Sequence, residues 1–146
     1  MKKVCNILII FSLFTLTTVA VNAQCKNFAK KICLPELGDY IHDGNFNAAV
    51  LTEGEEAELY KTFYSNTNYR IAICGSDVLP NVEFRVIDAD KNVLYTNKDK
   101  GFARTWDFKL EASQQLKIVV KVHPTGKSSE EVASGCVAIM FGLKEK

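Results

Sequence analysis

Histidine is scarce in this sequence: His42 and His123 are the only two, and both lie among turn residues. A hydrolase triad needs a positioned imidazole. His42, Asp43 and a serine could be drawn as one, but no nucleophile pattern accompanies either histidine, and both read as surface residues. No CxxC or CxxH occurs, so the closely spaced ligand pairs of a structural zinc site are missing. Gly126-Lys127-Ser128 imitates the end of a phosphate-binding loop, yet Lys121 stands where the earlier glycine belongs and the segment precedes a strand. There is no basic run: 18 Lys+Arg stand against 17 Asp+Glu. That balance leaves no electrostatic footprint for nucleic acid or an anionic membrane. Asn66-Thr67-Asn68 is not a glycosylation sequon, and none occurs elsewhere beyond the first segment.

What is present begins with a leader. Lys2 and Lys3 form a charged start, Ile7 to Val21 an apolar run, and Val21-Asn22-Ala23 a small-residue cleavage site, so residues 1–23 read as a signal peptide that is removed. Ser12, Thr15, Thr17 and Thr18 interrupt the apolar run, which argues against a retained anchor. Gln24 is too large to precede a lipid-bearing Cys25. Removing 23 of 146 residues leaves 123, enough for one domain with a core and too few for two. It also takes two lysines and no acids, so 16 Lys+Arg face 17 Asp+Glu and the mature chain is near neutral.

Cys5 leaves with the leader, and Cys25, Cys33, Cys74 and Cys136 stay. Four cysteines in an exported chain read most simply as two disulfides. In residues 24–37, Cys25, Phe28, Ala29, Ile32 and Cys33 make one apolar helical stripe, with Lys26, Lys30 and Lys31 on the wet side. Pro35 should stop or kink that helix near Leu34. The helix and the loop that follows occupy residues 24–47, with Asp43-Gly44-Asn45 as a turn.

Residues 48–146 read as a β-sandwich. Strand-like segments separated by turns run from Ala48 to Leu51, Glu56 to Tyr64, Tyr69 to Cys74, Val82 to Val86, Val93 to Thr96, Arg104 to Leu110, Gln115 to Val122 and Cys136 to Lys144. Lys61 breaks the inner face of the second. About eight strands with no later helix predict an antiparallel sandwich or barrel. Two strands carry a bulky face opposite a small one: Tyr69, Ile71 and Ile73 against Ala72 and Cys74, and Val137, Ile139 and Phe141 against Cys136, Ala138 and Gly142. The small faces leave room for the helix to approach closely, and the cysteines sit on them. An unbroken helix separates Cys25 from Cys33 by roughly 12 Å, too far for a bridge. Two schemes remain. Either each helix cysteine reaches one strand cysteine, which is preferred, or Cys74 pairs with Cys136 and the N-terminal pair closes through a distorted turn.

Phe63, Phe84, Trp106, Phe108 and Phe141 fall on inward faces and read as core. Tyr60 and Tyr64 fall on one outward face and are the candidate binding residues. Asp88, Asp90 and Asn92 have the alternate spacing of a calcium loop, with Asp99 at the twelfth position. Val93 stands where the sharp glycine turn is required, so an Asx-rich hairpin turn is the preferred reading.

The Tyr69-Arg-Ile-Ala-Ile strand, Val82-Glu-Phe-Arg-Val-Ile-Asp turning into Val93-Leu-Tyr, the Trp106 strand, Leu116-Lys-Ile-Val-Val and Gly135-Cys-Val-Ala-Ile together resemble the bacterial pre-peptidase C-terminal domain and related GOLD-type sandwiches. The resemblance covers Ala48 to Leu143. It implies an eight-stranded, jelly-roll-like sandwich and a non-catalytic accessory or binding role. Such domains usually hang from a larger enzyme or receptor, whereas here a leader and a helix precede the sandwich. The whole layout also resembles small exported proteins of Bacteroidetes-type bacteria, which brings no function with it. The sequence therefore predicts a secreted or periplasmic binding module for glycan or protein. It requires no cofactor and has no nucleic-acid or membrane partner once the leader is gone. The alternative is a small exported hydrolase with a carboxylate-based site.

Overall fold

The computed structural model describes residues 20–126 and 131–144. The protein is mainly β, an antiparallel sandwich of two sheets with one helical segment lying on the outside of the first. The predicted leader falls largely outside the described residues. Helix α1 (Ala20–Phe28) continues into a π-helical turn (Ala29–Cys33) and a 3₁₀ turn (Leu34–Leu37). Among the described residues nine strands follow: β1 (Ile41–His42), β2 (Asn47–Thr52), β3 (Glu56–Phe63), β4 (Asn68–Gly75), β5 (Val82–Ile87), β6 (Val93–Thr96), β7 (Thr105–Lys109), β8 (Gln114–Val122) and β9 (Ser134–Lys144). The first sheet has the order β1-β9-β4-β7, with β2 also on β9, and the second β3-β8-β5-β6. All pairings are antiparallel.

Alternation places the core. Leu116, Ile118, Val120 and Val122 of β8 are fully buried and meet Ile71, Phe84, Val86 and Phe141 between the sheets. Lys117 and Lys121 stay on the wet face. At one side of the sandwich the rings of Tyr95, Trp106 and Phe108 stack with centroids 4.7 and 4.5 Å apart, and Phe63 meets Phe108 edge-on. Trp106 and Phe108 are half-buried and pack against this core.

A second core lies between the helix and the first sheet. Ala29, Cys33 and Leu37 pack on Ala72, Cys74, Ala138 and Met140. The small faces are what allow this. A Cβ on Gly142 would sit 2.6 Å from the Tyr40 Cβ and 3.2 Å from Leu37 Cδ2. Cys25 is bonded to Cys136 and Cys33 to Cys74, with Cα separations of 5.3 and 5.6 Å. Each helix cysteine thus reaches one strand cysteine.

The helix departs from the sequence expectation at Ile32. The buried positions are Cys25, Ala29, Cys33 and Leu37, every fourth residue, and Ile32 is 47% exposed rather than part of the stripe. A four-residue step overshoots a 3.6-residue α-turn by roughly 40°. The wider i→i+5 turn, closed by Leu34 N–H donating to Ala29 O, takes up that drift and swings Ile32 outward. As expected of Pro35, the helix changes form near Leu34, where the π-helical turn ends at Cys33 and a 3₁₀ turn takes over. Pro35 sits in the first turn of the 3₁₀ segment and lacks the N–H that would continue the preceding hydrogen-bonding pattern. The chain ends this segment at Gly38, at φ +59°, with the Arg70 guanidinium directly beneath.

Arg70 fastens that end. Its guanidinium makes a two-pronged ion pair with Asp107, at 2.6 and 2.7 Å, lies 4.6 Å from the Tyr40 ring centroid and donates to Leu37 O. Hydrogen bonds from Arg70 hold the Asp107 carboxyl below the usual carboxylate range. Lys144 pairs with Asp39 alongside. The segment 40–47, expected to be a loop, contains β1, which extends the sheet by pairing Ile41 with Leu143.

Candidate functional site: an open groove beside strand β3

β2 and β3 are joined by the turn at residues 53–55 and part into different sheets, so the sandwich is open between them. β3 is an edge strand, bonded only to β8. The opening is an apolar cleft of about 380 Å³ lined by Phe46, Ala49, Leu51, Ala57, Leu59 and Ile139. Two smaller depressions of about 150 and 110 Å³ continue it along β3, past Asp43 and Lys61 to Tyr64.

The candidate residues Tyr60 and Tyr64 stand on this edge, 56% and 65% exposed. Tyr60 lines the middle depression and Tyr64 the last. The Lys117 amine, held by Glu58 at 3.0 Å, approaches the Tyr60 ring to 5.9 Å. The Tyr64 N–H donates to the Tyr69 hydroxyl at 3.0 Å, which fixes the end of the strand.

Lys61 explains why the inner face of β3 is broken. Its side chain turns into the groove, where Nζ lies 2.7 Å from Asp43 Oδ2 and 5.0 Å from the Phe141 ring centroid. It ties the edge strand to the 43–47 segment and forms the groove floor between the two tyrosines. Burial pushes the Asp43 carboxyl up, but hydrogen bonds from Lys61 and Asn45 and the charge of Lys61 outweigh it, leaving Asp43 below its ordinary value. Phe46 lines the cleft beside Asn47 and packs toward the helix, with Lys26 Nζ and Lys30 Nζ 5.9 and 5.4 Å from its ring centroid. Sequence reasoning missed Asp43, Phe46 and this role of Lys61. The signal available was a lysine at an inward strand position.

The other sequence candidates lie elsewhere. The four cysteines form the helix–sheet junction. Asp88 spends both carboxylate oxygens on Asn92, at 2.8 Å to its N–H and 3.0 Å to its Nδ2, which makes an Asx turn of the calcium-loop look-alike. Among the described residues no three His, Cys, Asp or Glu side chains gather as metal ligands. Neither histidine is a free surface residue. His42 Nε2 is 3.0 Å from Asn45 O, and His123 Nε2 is 2.5 Å from the buried Glu83 carboxylate. No helix among the described residues is long and apolar enough to cross a membrane.

A second cavity, also about 380 Å³, lies at one end of the sandwich between the β4–β5 connection and the 101–104 loop. Its lining is mostly polar, and it shares no residue with the groove. The groove better fits a binding site, because an apolar cleft with a few fixed polar groups gains more from desolvation than a wet polar one.

No protein-family model matches the chain, and no curated protein matches it. Among solved structures it is similar to PliG of Aeromonas hydrophila, a periplasmic lysozyme inhibitor of g-type lysozyme. The TM-score is 0.50 at 14% identity, covering 73% of this chain and 89% of that one. The Salmonella Typhimurium PliG aligns with a TM-score of 0.43 at 10% identity, over 68% of this chain and 86% of that one. At such identities the likeness is one of fold.

Proposed function

We propose that this is an exported, non-catalytic protein-binding module that engages another exported protein through the groove beside β3. The observation that carries the reading is the groove itself: an open apolar cleft along an edge strand, continued by two smaller depressions that hold two exposed tyrosines and the Lys61–Asp43 ion pair. Tyrosine presents a large, stiff contact area at little entropic cost, which suits a protein-recognition surface. Two disulfides in so small a chain support an oxidising compartment, periplasmic or secreted. The fold it shares with a periplasmic lysozyme inhibitor supports an inhibitor-like role and supplies a first probe. The accessory role implied by the resemblance to pre-peptidase C-terminal sandwiches is of the same non-catalytic kind.

The test is a titration of immobilised protein with a g-type lysozyme, alongside the Tyr60→Ala/Tyr64→Ala double variant. Saturable binding that weakens at least tenfold in the variant is expected. Equal binding by both proteins would remove the groove from the account, and no binding by either would remove the lysozyme-inhibitor class.

A further inference from the structure

The hydrogen-bond register shows which backbone groups β3 leaves unused. Val122 N–H donates to Glu55 O, and on the opposite side of β8 His123 N–H donates to Asn81 O. Even-numbered β8 residues therefore bond to β3 and odd-numbered ones to β5. Given the pairing of Ala57 with Val120, Leu59 with Ile118 and Lys61 with Leu116, those odd-numbered β3 residues carry the ladder to β8. Strict alternation then points the N–H and C=O groups of Glu58, Tyr60 and Thr62 out of the sheet edge. The same reasoning applies to β2. Glu53 N–H donates to Ala133 O, so the odd-numbered residues bond to β9 and Ala48 and Val50 face outward. Two unsatisfied strand edges thus flank one apolar cleft. Edges of this kind are templates for another strand.

Charge selects among possible strands. Lys26 and Lys30 stand over the Phe46 ring on the β2 side of the cleft, and their contacts there are with that ring rather than with a carboxylate. The acidic groups at the groove are already engaged, Asp43 by Lys61 and Glu58 by Lys117. A segment passing this side therefore meets uncompensated positive charge.

We propose that the groove takes an extended segment of the partner as an added strand, hydrogen-bonded to Glu58, Tyr60 and Thr62, with alternate apolar side chains in the cleft and an acidic flank under Lys26 and Lys30. This rests on the protein-binding reading above and specifies its mode. Backbone bonding supplies affinity, while the cleft and the lysines supply selectivity.

The probe is a capped nine-residue peptide of alternating Val and Thr with two glutamates at one end, compared with its dilysine counterpart and read by amide hydrogen exchange on the full protein. On saturation the amides of Glu58, Tyr60 and Thr62 should slow at least tenfold while those of Leu59 and Lys61 stay unchanged. Affinity should fall about tenfold for the dilysine peptide or in Lys26→Glu/Lys30→Glu, a change confined to the wet side of the helix. Peptide binding without protection of the three amides overturns strand addition, and equal affinity for the two peptides overturns the acidic flank. If neither peptide binds while lysozyme binding still depends on Tyr60 and Tyr64, the strand-addition mode is wrong and the protein-binding reading stands. A concentration-dependent dimer that protects the same amides without peptide would assign the edge to a second copy of the chain and overturn the proposal.

Discussion

Removing the two disulfides one at a time distinguishes chain entropy from packing as the source of their stabilisation. The bridges are nested, Cys33–Cys74 closing a separation of 41 inside the 111 of Cys25–Cys136. In the loop-entropy description the inner bridge alone contributes about 3.9 kcal/mol and the outer alone about 4.8 kcal/mol. With the inner one formed, taking 41 from 111 leaves an effective outer loop of about 70, worth about 4.4 kcal/mol. The pair together then contributes about 8.3 kcal/mol. Starting from the intact protein, Cys25→Ala/Cys136→Ala should cost about 4.4 kcal/mol and Cys33→Ala/Cys74→Ala about 3.5 kcal/mol. Packing works the other way. Cys33 and Cys74 are both buried in the second core, whereas Cys136 is half-exposed. A buried sulfur is comparable to a methylene at about 0.8 kcal/mol, so half of one such difference, about 0.4 kcal/mol, does not reverse the order. Urea unfolding of the two double variants reads this directly. The outer-bridge variant should be the less stable; an inner-bridge variant that is less stable by more than about 1 kcal/mol would refute the entropic argument.

Three further outcomes follow from single sites. Asn97 is 1% exposed; its Oδ1 accepts from Phe84 N–H at 2.8 Å, and its Nδ2 donates to Val82 O and Ala103 O, both at 3.1 Å. Asn97→Ala strands those three backbone groups and should cost about 2–5 kcal/mol by chemical denaturation. Gly142→Ala drives a methyl into the Cβ of Tyr40, which cannot swing aside, and should cost about 1–3 kcal/mol, with the loss accompanied by faster amide exchange in the helical segment. Asp107 and Asp43 both have folded-state pKa values below their ordinary ones. Their contribution is therefore present above the ordinary carboxylate value of about 3.9 and lost as pH falls below it. The urea midpoint should drop as pH falls below about 4, and drop less steeply in Asp107→Asn.

The helix seat could be read from the sequence because Ala72, Ala138 and Gly142 are small where a strand would normally carry bulk, and only a close neighbour accounts for that. Cysteine placement on the same faces followed from strand alternation alone. Ile32 could not be placed, because the i→i+5 turn that displaces it is set by the four-residue spacing of the contacts beneath, not by local periodicity. Asn97 looked like any turn residue; its weight comes from carbonyls 6 and 15 residues away. The groove was only half legible. Tyr60 on β3 and Tyr64 just past its end show themselves by alternation, but Asp43 and Phe46 join them through a tertiary contact that only the misplaced charge of Lys61 foreshadowed.

Whether a partner docks on the β3 edge can be read by site-specific photo-crosslinking in the producing organism. A photoreactive phenylalanine analogue would replace Tyr60, Tyr64 or, on the far β6 edge, the exposed Leu94. Docking at the β3 edge gives one discrete adduct with an exported protein from positions 60 and 64 and none from 94. Adducts from 94 alone, or the same adducts from all three positions, would contradict it.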